Sequence, residues 1–220
     1  MHIFLKEFID LIYENSCLIC SSPCKRFSVC NICEDSFIQR KTNYIKHFKE
    51  ITVYSYGLYE GTLREGILAL KAGKKKLSDY FSKKLADFLN CIPEKIINQN
   101  QLIIPVPSHK KRIKERGYCQ STLIAKYLAN SLSIKYSNEL AVRNKETKYM
   151  NSLSNINERI ENVKNAFCIT HSEPIEKNIL IVDDILTSGS TICELARTIH
   201  KRYPELNLAG LTVASGDTYV

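Results

Sequence analysis

The stretch Asn178-Ile179-Leu180-Ile181-Val182-Asp183-Asp184-Ile185-Leu186-Thr187-Ser188-Gly189-Ser190-Thr191 decides how this chain folds. Its apolar run, Ile179 to Val182, has the form of a strand buried on both faces, as in a parallel sheet. Two adjacent carboxylates end the run, and a loop of hydroxyl residues around one glycine follows. A helical pattern comes next, with Ile192, Leu195, Ala196 and Ile199 at i, i+3, i+4 and i+7. Thr191 and Glu194 have capping-box spacing, and Pro204 lies just past the basic end Lys201-Arg202.

Strand, acidic pair, small-residue loop and helix start together make a place for a phosphorylated sugar. A helix N-terminus presents unpaired N–H groups and the positive end of the dipole to a phosphate. Gly189 lets the backbone approach without a Cβ. The hydroxyls of Thr187, Ser188, Ser190 and Thr191 add donors. Asp183 and Asp184 can accept from vicinal hydroxyls or hold Mg²⁺ through water. The carboxyl ends of parallel strands are where open α/β sheets bind ligands.

This motif resembles the phosphoribosyl pyrophosphate (PRPP) loop of type I phosphoribosyltransferases. The resemblance implies that Asp183 and Asp184 meet the ribose hydroxyls. It places Ile185 and Leu186 in the same binding segment, and Thr187, Ser188, Gly189, Ser190 and Thr191 around the 5-phosphate. Ser188 stands where threonine is more usual and keeps the hydroxyl.

Outward from the motif, strands alternate with helical patterns. Ile51 to Gly57 and Leu102 to Val106 have strand character, as do stretches near Leu140 to Val142 and from Leu206 to Ala214. Helices are expected over Thr62 to Lys71, from Ser78 as N-cap, and from Ser121. The expected fold is α/β, a mostly parallel sheet flanked by helices. Between strand and helix, Ser108 to Gly117 is expected to be a long loop carrying Lys110, Lys111, Arg112, Lys114 and Arg116. Such a charge run is by default solvated surface. At a strand end it can also hold a diphosphate through charge-assisted bonds.

At the other end of the chain, five of the nine cysteines fall between Cys17 and Cys33. Cys17/Cys20 and Cys30/Cys33 form two C-x₂-C knuckles, which suit a closed tetrahedral Zn²⁺ site. The segment has too little apolar mass to fold alone, so the metal would supply the folding energy. Cys24 is a fifth candidate ligand. Cys91, Cys119, Cys168 and Cys193 are expected to be small buried residues. Unpaired thiols suggest a reducing, cytoplasmic setting. Before the cluster, Met1 to Asn15 has an amphipathic pattern with Phe4, Phe8, Leu11 and Ile12 on one side. Its charges exclude a signal-peptide core. Packing on the domain is the first reading and attachment to a membrane surface the second.

The 220 residues suffice for one substantial domain with an appendage, here a module over residues 1–40 and a domain over 48–220. Hydrophobic content of 44% and charged content of 25% are those of a globular protein, and no apolar run is long enough to span a membrane. The formal charge of +8 suits anionic partners, a polyphosphate or a nucleic-acid backbone.

Pro-Val-Pro at 105–107, R-x₃-R-G-Y-x-Q over Arg112 to Gln120, R-N-K-E-T over Arg143 to Thr147, and Asn157 to Phe167 resemble the ComF family of competence proteins, as do the cysteine knuckles. The resemblance implies a zinc-ribbon-like module joined to a phosphoribosyltransferase domain. It implies a pyrophosphate loop at Pro107, Ser108 and His109, supported by Arg112 and Arg116, and a mobile loop over Arg143 to Ser154. Cys119 and Met150 replace residues usual in the family, near the expected crevice. Asp183, Asp184 and Arg143 are the candidate catalytic residues, with Mg²⁺ accompanying PRPP and Zn²⁺ structural. Three functions stay open. One is a PRPP-binding protein of DNA uptake that holds single-stranded DNA on its basic surface, with Tyr44, Tyr118 and Tyr149 as candidate stacking residues. It would act beside other DNA-uptake proteins at the inner face of the membrane. The others are an active transferase of unassigned acceptor and a PRPP-sensing regulator.

Overall fold

The computed structural model describes residues 16–24, 29–37, 44–92, 101–148, 152–170 and 176–216. The expected N-terminal helix, Tyr149 and Met150 lie outside them. The central strand is β7 (Asn178–Leu186), the stretch that opens the sequence reading. Ile179 to Val182 have no exposed surface, as a strand covered on both faces requires. β7 pairs in parallel with β3 (Gln101–Pro105) on one side and β8 (Asn207–Ser215) on the other. Beyond β8 comes β2 (Thr52–Leu58), also parallel, and then β1 (Tyr44–His47), antiparallel at the edge. Beyond β3 lies the short β4 (Lys135–Tyr136). The six-stranded order is β1-β2-β8-β7-β3-β4. A separate antiparallel pair, β5 (Ala141–Arg143) and β6 (Phe167–Ile169), sets Arg143 opposite Phe167. The fold is therefore the expected mostly parallel α/β sheet flanked by helices.

Each face of the sheet carries its own core. One holds α2 (Gly61–Lys71), α3 (Leu77–Cys91) and α5 (Gln120–Leu132), with Ile67, Leu70, Phe81, Leu85, Ile124 and Leu128 fully buried. Cys17, Val29, Cys30, Cys33 and Phe37 belong to this same core, along with the short α1 (Asn31–Asp35) beside it. Gly66 makes room for the knuckle, since a Cβ there would lie 3.1 Å from the Ile19 side chain. The other face holds α7 (Ser190–Arg202), with Ile192, Leu195 and Ile199 buried, and α6 (Ile156–Val163) packs against α7.

Several local expectations are corrected. The basic stretch is a helix, α4 (Lys110–Arg116), rather than a loop. None of its residues is buried, so it lacks the apolar period that marks a helix in sequence. Its lysines, arginines and glutamate are strong helix formers, and Gly117 ends it in the left-handed region at φ 76°. Ser78 is not an N-cap. It is buried inside the first turn of α3, whose cap is Lys76. The Thr191/Glu194 capping box does not form, because the N-cap of α7 is Gly189. The Glu194 carboxylate accepts from the Asn165 amide at 2.7 Å and pairs with Arg197. Cys119 is buried as expected, but Cys91 and Cys168 are exposed.

Candidate functional site

A cleft of about 550 Å³ opens at the carboxyl ends of β7 and β3. Asp183 and Asp184 enter it from the last turns of β7, and Pro107 and Ser108 from the segment after β3. Arg112 and Arg116 reach it from α4, and Arg143 from the end of β5. Thr187 and Thr191 line it from the loop. The structure thus brings the acidic pair, half of the hydroxyl loop and all three singled-out arginines into one space.

The loop divides its side chains between two sides. Beside the main cleft, Ile185, Leu186, Thr187, Gly189 and Thr191 surround a small hollow of about 20 Å³. Ser188 and Ser190 turn away, with their hydroxyls 2.9 Å apart, and line a different groove behind the loop. Gly189 sits at φ 77°, and a Cβ on it would lie 2.4 Å from the Phe48 ring. Only glycine fits that conformation and that contact. The first amides of α7 follow directly, where the helix leaves its N–H groups unpaired by geometry. His109 does not line the cleft. Its Nδ1 accepts from the Lys111 amide and caps α4.

The charges in the cleft are strongly perturbed. Burial, then the neighbouring Asp184, push the Asp183 carboxyl well above the usual carboxylate range. The Asp184 amide, which donates to Asp183 Oδ1 at 2.9 Å, pulls the other way together with Lys71 and Arg143. Burial, then repulsion from Arg112, push the Arg143 guanidinium down to about 10. Arg143 is 8% exposed and forms no ion pair among the described residues. Its Nη2 donates to Thr147 Oγ1 at 2.6 Å, while its buried Nε has no hydrogen-bond partner among the described residues. A buried cation held this way is costly unless an anion completes its surroundings.

Some contributors were not visible in sequence. Gln120, part of the R-G-Y-x-Q motif but given no role from it, is 4% exposed and lines the cleft. Its Oε1 accepts from Arg116 at 3.2 Å, leaving a buried Nε2 donor with no partner among the described residues. Lys71, the last residue of α2, forms an ion pair with Asp184 at 3.0 Å. Tyr59 and Leu68 complete that wall. The only available signal for them was position after a strand or at a helix end, and tertiary placement decides the rest. Tyr118, a stacking candidate from sequence, is buried and donates its hydroxyl to the Leu70 carbonyl. Tyr44 is half-buried with its hydroxyl enclosed. Tyr118 therefore offers no free ring face as a platform, whereas Tyr127 on α5 is 40% exposed.

Across the molecule, Cys17, Cys20, Cys30 and Cys33 bring their sulfurs within 4.8 Å of one another, an arrangement that could hold a metal ion. Cys24 is outside this set. Cys20 and Cys30 sulfurs lie 3.7 Å apart, far too long for a disulfide. It matches the edge of about 3.8 Å that four thiolates at a tetrahedral bond length of about 2.3 Å would have. The amides of Ile19 and Cys30 donate to Cys17 Sγ at 3.4 and 3.3 Å. Such bonds orient a ligand sulfur and stabilise its charge. The hydroxyl and then the amide of Ser22 draw Cys20 down to about 6, while burial pushes Cys33 up.

Residues 120–216 match the phosphoribosyl transferase domain family. Competence protein F of Haemophilus influenzae is 35% identical over 103 residues, 46% of this chain and 44% of that protein. DNA utilization protein YhgH of Escherichia coli K12 is 34% identical over 98 residues, 44% of this chain and 42% of that protein. In both, the chain matches less than half of the relative's length. Competence protein ComFC of Bacillus subtilis is 23% identical over 207 residues, covering 90% of this chain and 76% of its own.

Proposed function

We propose that the chain is a ComF-type protein, as the match of residues 120–216 to the phosphoribosyl transferase domain family and the competence-protein relatives support, and that it binds PRPP in the cleft at the end of β7. The observation that carries this reading is the pairing of two carboxylates with two buried donors in one cleft. Asp183 and Asp184 can accept from ribose hydroxyls. Arg143 Nε and Gln120 Nε2 have no hydrogen-bond partner among the described residues, and a diphosphate would satisfy both. The hollow beside Gly189 and the N-terminus of α7 would take the 5-phosphate.

In a transferase, the bond from ribose C1 to pyrophosphate breaks, and a nitrogen nucleophile bonds to C1 in its place. Arg112, Arg116 and Arg143 would hold the departing diphosphate as charge builds on it. Mg²⁺ bound with PRPP would add charge neutralisation there. Carboxylate oxygens suit that ion, although one oxygen of Asp184 already faces Lys71. No residue in the cleft identifies an acceptor, so ligand binding is the core of the proposal. In the N-terminal module, Zn²⁺ fits four converging sulfurs better than harder divalent ions do.

By its relatives' names, the protein's setting is competence and DNA use, and we place it in DNA uptake. Lys110, Lys111 and Lys114 on α4 are exposed, and so are Lys74 to Lys76 after α2. Lys75 lies 5.0 Å over the ring of Tyr118, which follows α4, so the two basic segments are neighbours. Single-stranded DNA would track this surface, a basic groove being the general means of holding a strand backbone. Among the described residues no helix is long and apolar enough to cross a membrane. The proposed setting is beside other DNA-uptake proteins at the inner face of the membrane. Fluorescence anisotropy with labelled single-stranded DNA tests this part. Binding should weaken steeply as salt rises and fall further in a Lys110→Ala/Lys111→Ala/Lys114→Ala variant. No binding at low salt would remove it.

A further inference from the structure

Lys71 was given no role by the sequence motifs, yet its ammonium sits on the acidic pair. It lies 3.0 Å from Asp184 Oδ2, with both side chains largely enclosed. Burial alone would depress Lys71, but Asp184, helped by Tyr59 and Asp183, raises it overall. Two adjacent carboxylates facing one cleft repel each other, and the one without a counter-ion tends to take a proton. A protonated carboxyl loses acceptor capacity, which is what ribose hydroxyls need.

The placement of Lys71 is built, not incidental. It is the last residue of α2, where a cation also meets the negative end of the helix dipole. The preceding carbonyl, Leu70, accepts the buried Tyr118 hydroxyl, and Lys75 covers the Tyr118 ring. Thus the tyrosine of the R-G-Y-x-Q motif is a strut that fixes the end of α2 against the α4–α5 junction. The same motif supplies Arg116 and Gln120 to the opposite part of the cleft.

We propose that Lys71 is the positioning residue of the acidic pair, a resident counter-ion that pairs with Asp184 and holds its carboxylate toward the ligand without a divalent ion. This rests on the PRPP reading above. The consequence is a specific link to magnesium: when Lys71 is absent, Mg²⁺ must supply the charge that the ammonium supplied.

The test is calorimetric titration of PRPP into the full chain in magnesium-free and magnesium-containing buffer, for wild type, Lys71→Met, Lys71→Arg and Tyr118→Phe. Without magnesium, Lys71→Met should weaken binding by about tenfold, the scale of losing a charged hydrogen bond. Magnesium should restore much of that loss, so its effect is larger in Lys71→Met than in wild type. Lys71→Arg should stay near wild type, and Tyr118→Phe should move in the direction of Lys71→Met by a smaller factor. Equal affinity of Lys71→Met and wild type in both buffers would overturn the assignment. So would a loss in Lys71→Met that magnesium leaves unchanged, which would mark Lys71 as a merely structural contact. Absence of any wild-type response to PRPP would overturn the PRPP reading itself and this inference with it.

Discussion

At the scale of single residues, the cleft holds groups whose charge the fold itself disfavours. Arg143 is buried beside Arg112, and Asp183 is crowded against Asp184. Function explains both better than stability does, since sites that bind charged ligands are where such perturbations gather. Asp183 gives a pH prediction. Its carboxyl is raised in the folded state, so the fold binds its proton more tightly than the unfolded chain does. The ionised form therefore costs stability above the ordinary unfolded value of about 3.9, and the cost grows until pH passes the folded value. Asp183→Asn removes that cost. Its melting temperature should exceed that of wild type at pH 7, and the gap should narrow as pH falls towards about 4. A variant less stable than wild type at pH 7 would contradict this. The acidic pair itself was legible in sequence because it follows a buried run. The perturbation was not, because its largest cause is burial, which only the fold creates, and Lys71 and Arg143, which oppose it, are distant in sequence and meet the pair only in the fold.

At the scale of elements, the turn from β7 into α7 is the tightest constraint. β7 continues past the acids to Leu186 because β8 offers partners as far as Ser215. The chain must then reverse within Thr187 to Gly189 and start a helix, with Phe48 packed against Gly189. Gly189→Ala combines a left-handed backbone with a Cβ overlapping an aromatic ring. It should destabilise the protein by about 1–3 kcal/mol in chemical denaturation. It should also weaken PRPP binding by more than Ser188→Ala does, since the Ser188 hydroxyl faces away from the cleft. The opposite order would mean that the hydroxyls, not the backbone cradle, hold the phosphate. The strand and the helix were readable here from their apolar periods. The cap was not, because a Thr-x-x-Glu spacing looks the same whether Glu194 turns back to its own helix or out to Asn165. α4 escaped for a related reason: a helix with no buried face leaves no period.

At the scale of the whole molecule, the cysteine module and the parallel sheet share one hydrophobic core. Cys17, Cys30 and Cys33 pack with Ile67, Phe81 and Leu85, and Glu34 pairs with Lys84. Removing the metal should therefore lower the cooperative melting of the entire chain rather than release a separate small transition. Cys17→Ser should do the same and should lose bound zinc by elemental analysis. A second, independent transition with the main one unmoved would show the module to be autonomous. The central claim is that the cleft binds PRPP through the acidic pair and the arginine facing it. Thermal-shift titration with PRPP tests it most directly, on wild type, Asp183→Ala/Asp184→Ala and Arg143→Met. Wild type should show a saturable rise in melting temperature that is lost in the double variant and shifted to higher PRPP in Arg143→Met. A wild-type protein that PRPP does not stabilise, or a double variant stabilised as much as wild type, would contradict it.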